Sequence, residues 1–274
     1  MSVSAPAPPA TSERPTKPGA RWTTWAGLAA FVAITLWSAL EPLGGIGFSL
    51  TALFTEQAIR GRQLIMRFFT PEWSFLPGVW PRFLETLYIA VLAAPIGCAL
   101  ALPVALFCSR VTNRNRALYQ AWRTFLSVVR SLPDVAWALL FVAAVGTGAL
   151  PGVLALIMFN MGIVAKLTSE SIDSVDLGPL EAADATGAGR IQRAWTAVVP
   201  QVLPTYLSYS LYVFELNLRA SIVLGLVGAG GIGTVIRVTF ARFEFERLGA
   251  VIAAVFVIVV VLDRISVNMR RRLV

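Results

Sequence analysis

The sequence contains no histidine, and its 15 acidic side chains are outnumbered by 23 basic ones. Without an imidazole there is no His-ligated metal site and no Ser-His or Cys-His catalytic pair. Cysteine is scarce as well: Cys98 and Cys108 are the only two, and both lie in one apolar run. On a helix they would stand about 15 Å apart, at 1.5 Å per residue. They cannot bridge each other there and read as small core residues. Charge of either sign is thin. Asp, Glu, Lys and Arg make up 14% of the 274 residues, and hydrophobic types make up 57%. Average soluble domains carry about 25% charged and about 45–50% apolar residues. The deviation points to a membrane protein, and a mean hydropathy of +0.71 agrees.

What is present is a series of apolar stretches. A hydrocarbon core about 30 Å thick needs about 20 apolar residues per helix. Six stretches fit or nearly fit: 22–41, 84–108, 122–146, 148–167, 201–226 and 246–264. The third and fourth are joined by Gly146-Thr147-Gly148, which predicts a hairpin. Residues 1–20, rich in Pro, Ala, Ser and Thr, cannot bury a core and read as a disordered tail. Lys17 and Arg21 ahead of the first apolar run raise a secretory signal as the rival. That run continues to Leu40, longer than a usual signal core, which favours an uncleaved anchor.

The net charge of +8 suits nucleic acid, anionic lipid or the inner loops of a membrane protein. Placement decides between them. In a six-span reading, one side holds Arg14, Lys17, Arg21, Arg110, Arg114, Arg116, Arg123, Lys166, Arg190, Arg193, Arg264, Arg270, Arg271 and Arg272. The other holds Arg60, Arg62, Arg67, Arg82, Arg237, Arg242 and Arg247. Fourteen against seven puts both termini in the cytoplasm. Nucleic-acid binding then loses its main support.

Two loops break the apolar pattern. In the first outer loop, 42–83, Phe54, Ala58, Gly61, Ile65 and Phe68 recur at helical spacing. This fits an interfacial helix on the outer surface or an ordinary packed loop helix. The inner loop, 168–199, reads as two short helices with a glycine elbow. Gly178-Pro179 opens the first, Glu181 lies in its first turn, and Gly187-Ala188-Gly189 breaks it. The second, 190–198, runs toward Pro200. Such short helices are marginal alone in water and imply a partner surface.

Glu181-Ala182-Ala183, Gly187 and Ala197-Val198-Val199-Pro200 resemble the EAA loop of bacterial ABC importer permeases. That pattern ends in I-x-L-P, so Ala197 and Val199 depart from it, though both are small and apolar. The run PQVLPTYLSYSLYVFELNLRASIVLGLVGAGGIG, 200–233, resembles the permeases of phosphonate-type importers. Segments 65–75 and 130–146 fit the same branch, and the resemblance covers about residues 22–270. It implies an all-α, six-helix type I importer permease in the plasma (inner) membrane, one domain over 21–274. It also implies a second permease copy, a dimer of ATPase subunits inside and a substrate-binding protein outside. Glu181, Ala182, Ala183, Asp184, Gly187 and Arg190 would face the ATPase. The chain has no G-x-x-x-x-G-K-[ST], so no cofactor is expected on it; ATP and Mg would sit on the partner.

Gly228, Gly230 and Gly233 also spell G-x-G-x-x-G, with Gly231 between them. A dinucleotide site needs a preceding strand and an acidic residue about 20 positions on; twenty after Gly228 is Leu248. An open strand in a bilayer would leave backbone groups unpaired. A turn that returns the chain is expected instead, serving an outer gate or close helix packing. In the fifth stretch Ser208, Tyr212, Glu215 and Arg219 share one helical face. They either line a translocation path or contribute a structural salt bridge. Asp134 follows Pro133, which predicts a kink with Asp134 near Arg130. The expected function is the permease subunit of an ATP-driven importer for phosphonate or a related phosphorus oxyanion, itself not an enzyme. The alternatives are a membrane oxidoreductase using the glycine cluster, and a stand-alone secondary carrier.

Overall fold

In a computed structural model of the chain, residues 22–39 and 56–270 are described. The proposed tail 1–20 and Phe54 lie outside them. The chain divides into two compact units, one ending at Arg62 and one beginning at Gln63. Among the described residues the secondary structure is entirely helical.

In the first unit, α1 (Trp22–Ala39) is apolar all round, with Trp22, Trp25, Phe31 and Trp37 exposed. α2 (Glu56–Phe68) is the helix expected in the outer loop, and it crosses the boundary between the units. Ile65 and Met66 near its end are exposed.

The second unit is built on α3 (Leu76–Phe107), α6 (Ala149–Asp173) and α9 (Val199–Leu226). On α3, Ala90, Ala93, Ala94, Gly97, Cys98, Ala101 and Ala105 are buried. Their three- and four-residue spacing makes a stripe of small side chains, which lets neighbouring helices approach closely. A Cβ on Gly97 would stand 2.6 Å from Cβ of Asn160 on α6. Both cysteines are buried and free, as small core residues should be.

Several boundaries differ from the sequence reading. The second stretch, expected from 84, starts at Leu76, after a 3₁₀ turn at Trp73–Phe75. Pro77 sits in its first turn, where no donor is lost, and the helix carries Pro81, Pro95 and Pro103 inside it. The third stretch is not one helix. α4 (Arg116–Ser131) and α5 (Asp134–Val145) meet at 86°. Leu132 is extended at φ −91°, ψ 129°, as a residue before proline should be. The kink at Pro133 is therefore real, but Asp134 does not pair with Arg130. Its Oδ1 accepts the Val135 N–H at 2.8 Å.

The fourth stretch runs on to Asp173. Three described helices are long and apolar enough to cross a bilayer, or four if α4 and α5 count as one bent span. Of the six expected stretches, the described part of α1 falls short in length and α9 in hydropathy, because α9 carries Ser208, Ser210, Glu215, Asn217 and Arg219. α9 still extends about 42 Å at 1.5 Å per residue.

Candidate functional site

The 168–199 loop folds into α7 (Gly178–Ala185) and α8 (Arg190–Arg193). Gly187 makes the elbow at φ +75°, with open space around its Cβ position. α7 opens on Pro179 and carries Glu181 in its first turn, where the helix dipole favours an anion. The second short helix does not stop at Pro200. A π turn, Ala194–Val198, joins α8 directly to α9. Pro200 falls in the first turn of α9, directly after the π turn.

Leu180, 3% exposed, packs α7 into the core beside Val198 and Ile172. Asp184 fixes it from the other side. Its carboxylate pairs with Arg114 at 3.1 Å and Arg193 at 3.2 Å. Arg193 also donates to the Val111 carbonyl at 2.6 Å. Gln201 ties the end of α6 to the start of α9, accepting the Asp176 N–H at 3.0 Å and donating to the Asp176 carbonyl at 3.2 Å. Of the six residues expected at a partner surface, Glu181, Ala182, Asp184, Gly187 and Arg190 are exposed. Ala183 is half-buried against the core. Asp184 reaches toward its own chain, because two guanidinium groups hold its carboxylate.

At the other end, α9 closes at Leu226 and the chain turns through 227–231 into α10 (Ile232–Ala241). Gly228, Gly230 and Gly231 have φ of +96°, +82° and +71°, a region that only glycine enters without penalty. All residues from Gly228 to Gly233 are buried. The Gly228 carbonyl accepts the Gly148 N–H at 3.0 Å, and Thr86 Oγ accepts the Ile232 N–H at 2.7 Å. A Cβ on Gly233 would sit 2.0 Å from the Ile222 carbonyl oxygen. The cluster is thus a chain reversal wedged between α3, the α5–α6 turn and α9. A helix, not a strand, precedes it, so the dinucleotide fingerprint has no context.

Ser208, Tyr212, Glu215 and Arg219 do share a face of α9. Arg219 Nη2 donates to Glu215 Oε1 at 2.7 Å and to Asp263 Oδ1 at 2.6 Å. Asp263 lies on α11 (Phe245–Arg270), so this arginine joins two long helices. Sequence reasoning missed Asp263, which stands near the end of the 246–264 stretch with no periodic neighbour to mark it.

It also missed the buried polar groups. Asn160 on α6 donates to the Ala93 carbonyl at 3.2 Å, leaving its own Oδ1 without a partner. Asn217 on α9 is fully buried, and both of its polar atoms lack one. It lies two residues from Glu215, about 200° round the helix at 3.6 residues per turn. That offset is the one signal that set it apart from the charged face.

Residues 101–274 match the family model described as "Binding-protein-dependent transport system inner membrane component". The phosphate-import permease protein PhnE of Mycolicibacterium smegmatis is 38% identical over 190 residues, 69% of this chain and 36% of that protein. The chain thus spans about a third of that relative's length. The putative phosphite transport system permease protein HtxE of Stutzerimonas stutzeri is 37% identical over 196 residues, 72% of this chain and 75% of the relative. Among solved structures, the inward-facing MetNI methionine ABC transporter superposes with a TM-score of 0.59 at 21% identity, covering 74% of this chain and 97% of that one. That likeness shows the fold, an all-α type I importer permease. Taken with the elbowed inner loop and the long helices, these matches show that the chain belongs to the binding-protein-dependent transport system inner membrane components, as an ABC importer permease.

Proposed function

We propose that the chain forms the pore of an importer for phosphonate, phosphite or phosphate. A nucleotide-hydrolysing partner would drive it from the α7 side, which faces the cytoplasm together with both termini. A second copy of the chain would complete the pore over residues 21–274, and an outer binding protein would deliver the solute. The observation that carries the reading is mechanical. α7 is held to the loop before α4 through Asp184–Arg114 and reaches the long helix α9 through α8 and an unbroken π turn. A push on Glu181, Ala182 or Arg190 would therefore move both α3–α4 and α9, as alternating access requires.

The relatives named for phosphate and phosphite support the substrate class. The interhelix pair Arg219–Asp263 favours a lock over a substrate contact for that arginine. Ser208, Tyr212 and Glu215 continue along the same face and remain the candidates for lining the path. The buried contacts of the 228–233 turn favour packing at the outer end over a gate that opens on its own.

Because both native cysteines are buried, a single reactive site is simple to install. Ala182→Cys should be labelled by a membrane-impermeant maleimide only in inverted vesicles, and an assembled ATPase should protect it. Uptake of labelled phosphonate, phosphite or phosphate should require ATP and the binding protein. Labelling from outside intact cells, or transport by the purified chain alone, would overturn the proposal.

A further inference from the structure

Just past the last residue of α3, the chain gathers more positive charge than its neighbouring acids offset. Arg110, Asn113, Arg114, Arg116, Tyr119 and Gln120 line a cleft of about 420 Å³. Arg110 Nε and Arg123 Nη1 both donate to the Tyr119 hydroxyl, at 3.1 and 2.5 Å. Both guanidinium groups also lie 5.4 Å from that ring. Two guanidinium groups thus share one phenolic oxygen as acceptor. Arg116 makes no ion pair among the described residues, and Arg114 shares Asp184 with Arg193. Asp173, whose Oδ1 accepts from Ser109 Oγ at 2.6 Å and from the Arg110 backbone N–H at 3.0 Å, offsets part of the Arg110 charge, and the guanidinium groups of the cleft still outnumber its acids.

An apolar ledge begins in the same turn of α4. Leu118, Trp122 and Phe125 recur at spacings of four and three on one face. Phe107, the final residue of α3, stacks on Trp122 with ring centroids 5.2 Å apart. Phe107, Leu118 and Phe125 are all exposed. The arrangement thus sets guanidinium groups beside aromatic and aliphatic surface, at the end of a helix that is apolar enough to cross a bilayer.

We propose that this cleft binds the phosphate of an anionic phospholipid, with an acyl chain laid against Phe107, Leu118, Trp122 and Phe125. Basic pockets at the ends of spanning helices suit such headgroups. Aromatic side chains belong at the same depth. The ledge is what selects lipid over free phosphate, since inorganic phosphate has no tail to cover it. The inner-leaflet assignment rests on the orientation proposed above; the chemistry of the cleft does not. Arg114 links the site to α7 through Asp184, so a bound headgroup would stiffen the segment that carries α7.

The test uses the full chain, purified and placed in nanodiscs of phosphatidylcholine with increasing phosphatidylglycerol. Native mass spectrometry then counts the retained lipids. Phosphatidylglycerol should be retained over phosphatidylcholine. Arg110→Gln with Arg116→Gln should lower that preference by about fivefold per arginine removed. Arg116→Gln alone breaks no ion pair and serves if the double variant misfolds; Arg116→Lys should restore most of the preference. Equal retention by wild type and variants would overturn the proposal. So would saturable, arginine-dependent binding of inorganic phosphate in pure phosphatidylcholine discs with no phosphatidylglycerol preference, which would assign the cleft to the free anion. Neither readout needs ATP or a partner subunit, so the lipid site and the importer reading can fail separately.

Discussion

Gly230→Ala separates backbone strain from packing when it is set beside Gly187→Ala. Both glycines have positive φ, +82° and +75°. A Cβ in that region costs about 1–2 kcal/mol. At Gly187 nothing lies within 4 Å of the Cβ position, so strain is the whole penalty. At Gly230 the same methyl would meet Glu85 Oε1 at 2.8 Å and the Ala149 Cα and backbone N at 2.9 Å. Glu85 can swing away by giving up its 2.7 Å bond to Arg82. Ala149 is backbone at the start of α6 and cannot. Overpacking of this kind adds about 1–3 kcal/mol. Gly187→Ala should therefore cost about 1–2 kcal/mol and Gly230→Ala about 2–5 kcal/mol.

The assay is heating in detergent, followed by size-exclusion of the surviving monodisperse protein. Gly146→Ala, at φ +88° with an empty Cβ site, is a second strain-only control. The midpoint should fall furthest for Gly230→Ala, with the two controls together above it. A Gly230→Ala midpoint level with the controls would refute the claim that α6 backbone wedges this turn. By the same geometry Gly230→Leu should unfold the end of the bundle that holds this turn, so loss of uptake in that variant would say nothing about gating.

Two further outcomes follow from polar groups on the long helices. A double-mutant cycle of Arg219→Gln and Asp263→Asn should show a coupling of about 0.6–1.7 kcal/mol, the range for hydrogen bonds between membrane helices; additive effects on detergent stability would rule out the lock between α9 and α11. Asn217→Leu removes two buried polar atoms that have no partner, so the thermal midpoint should stay level or rise. A drop of several degrees would mean that Asn217 has a partner this packing does not show.

The sequence by itself settled the solvent. A 57% hydrophobic chain without histidine leaves room for long helices and for neither imidazole metal sites nor imidazole catalysis. It also showed the glycine elbow at 187, because Gly-Ala-Gly between two apolar periods has few other uses, and the break at Pro133, because proline bars the helical conformation in the residue before it. Only the tertiary structure could decide what each polar group meets. Asp184 has no visible partner in the sequence; Arg114 and Arg193, 70 and 9 residues away, close on its carboxylate in the fold. Arg219 had one visible partner four residues back, and Asp263 came from 44 residues on. The glycines of 228–233 look alike in the sequence whether they serve a nucleotide, a gate or a packed turn. Thr86, Gly148 and Ala149 fill the space around them, which leaves no room for a nucleotide and favours a packed turn. Periodicity and turn chemistry are local and act along the chain; hydrogen bonds and steric contact act through space, and they are fixed only when distant segments meet.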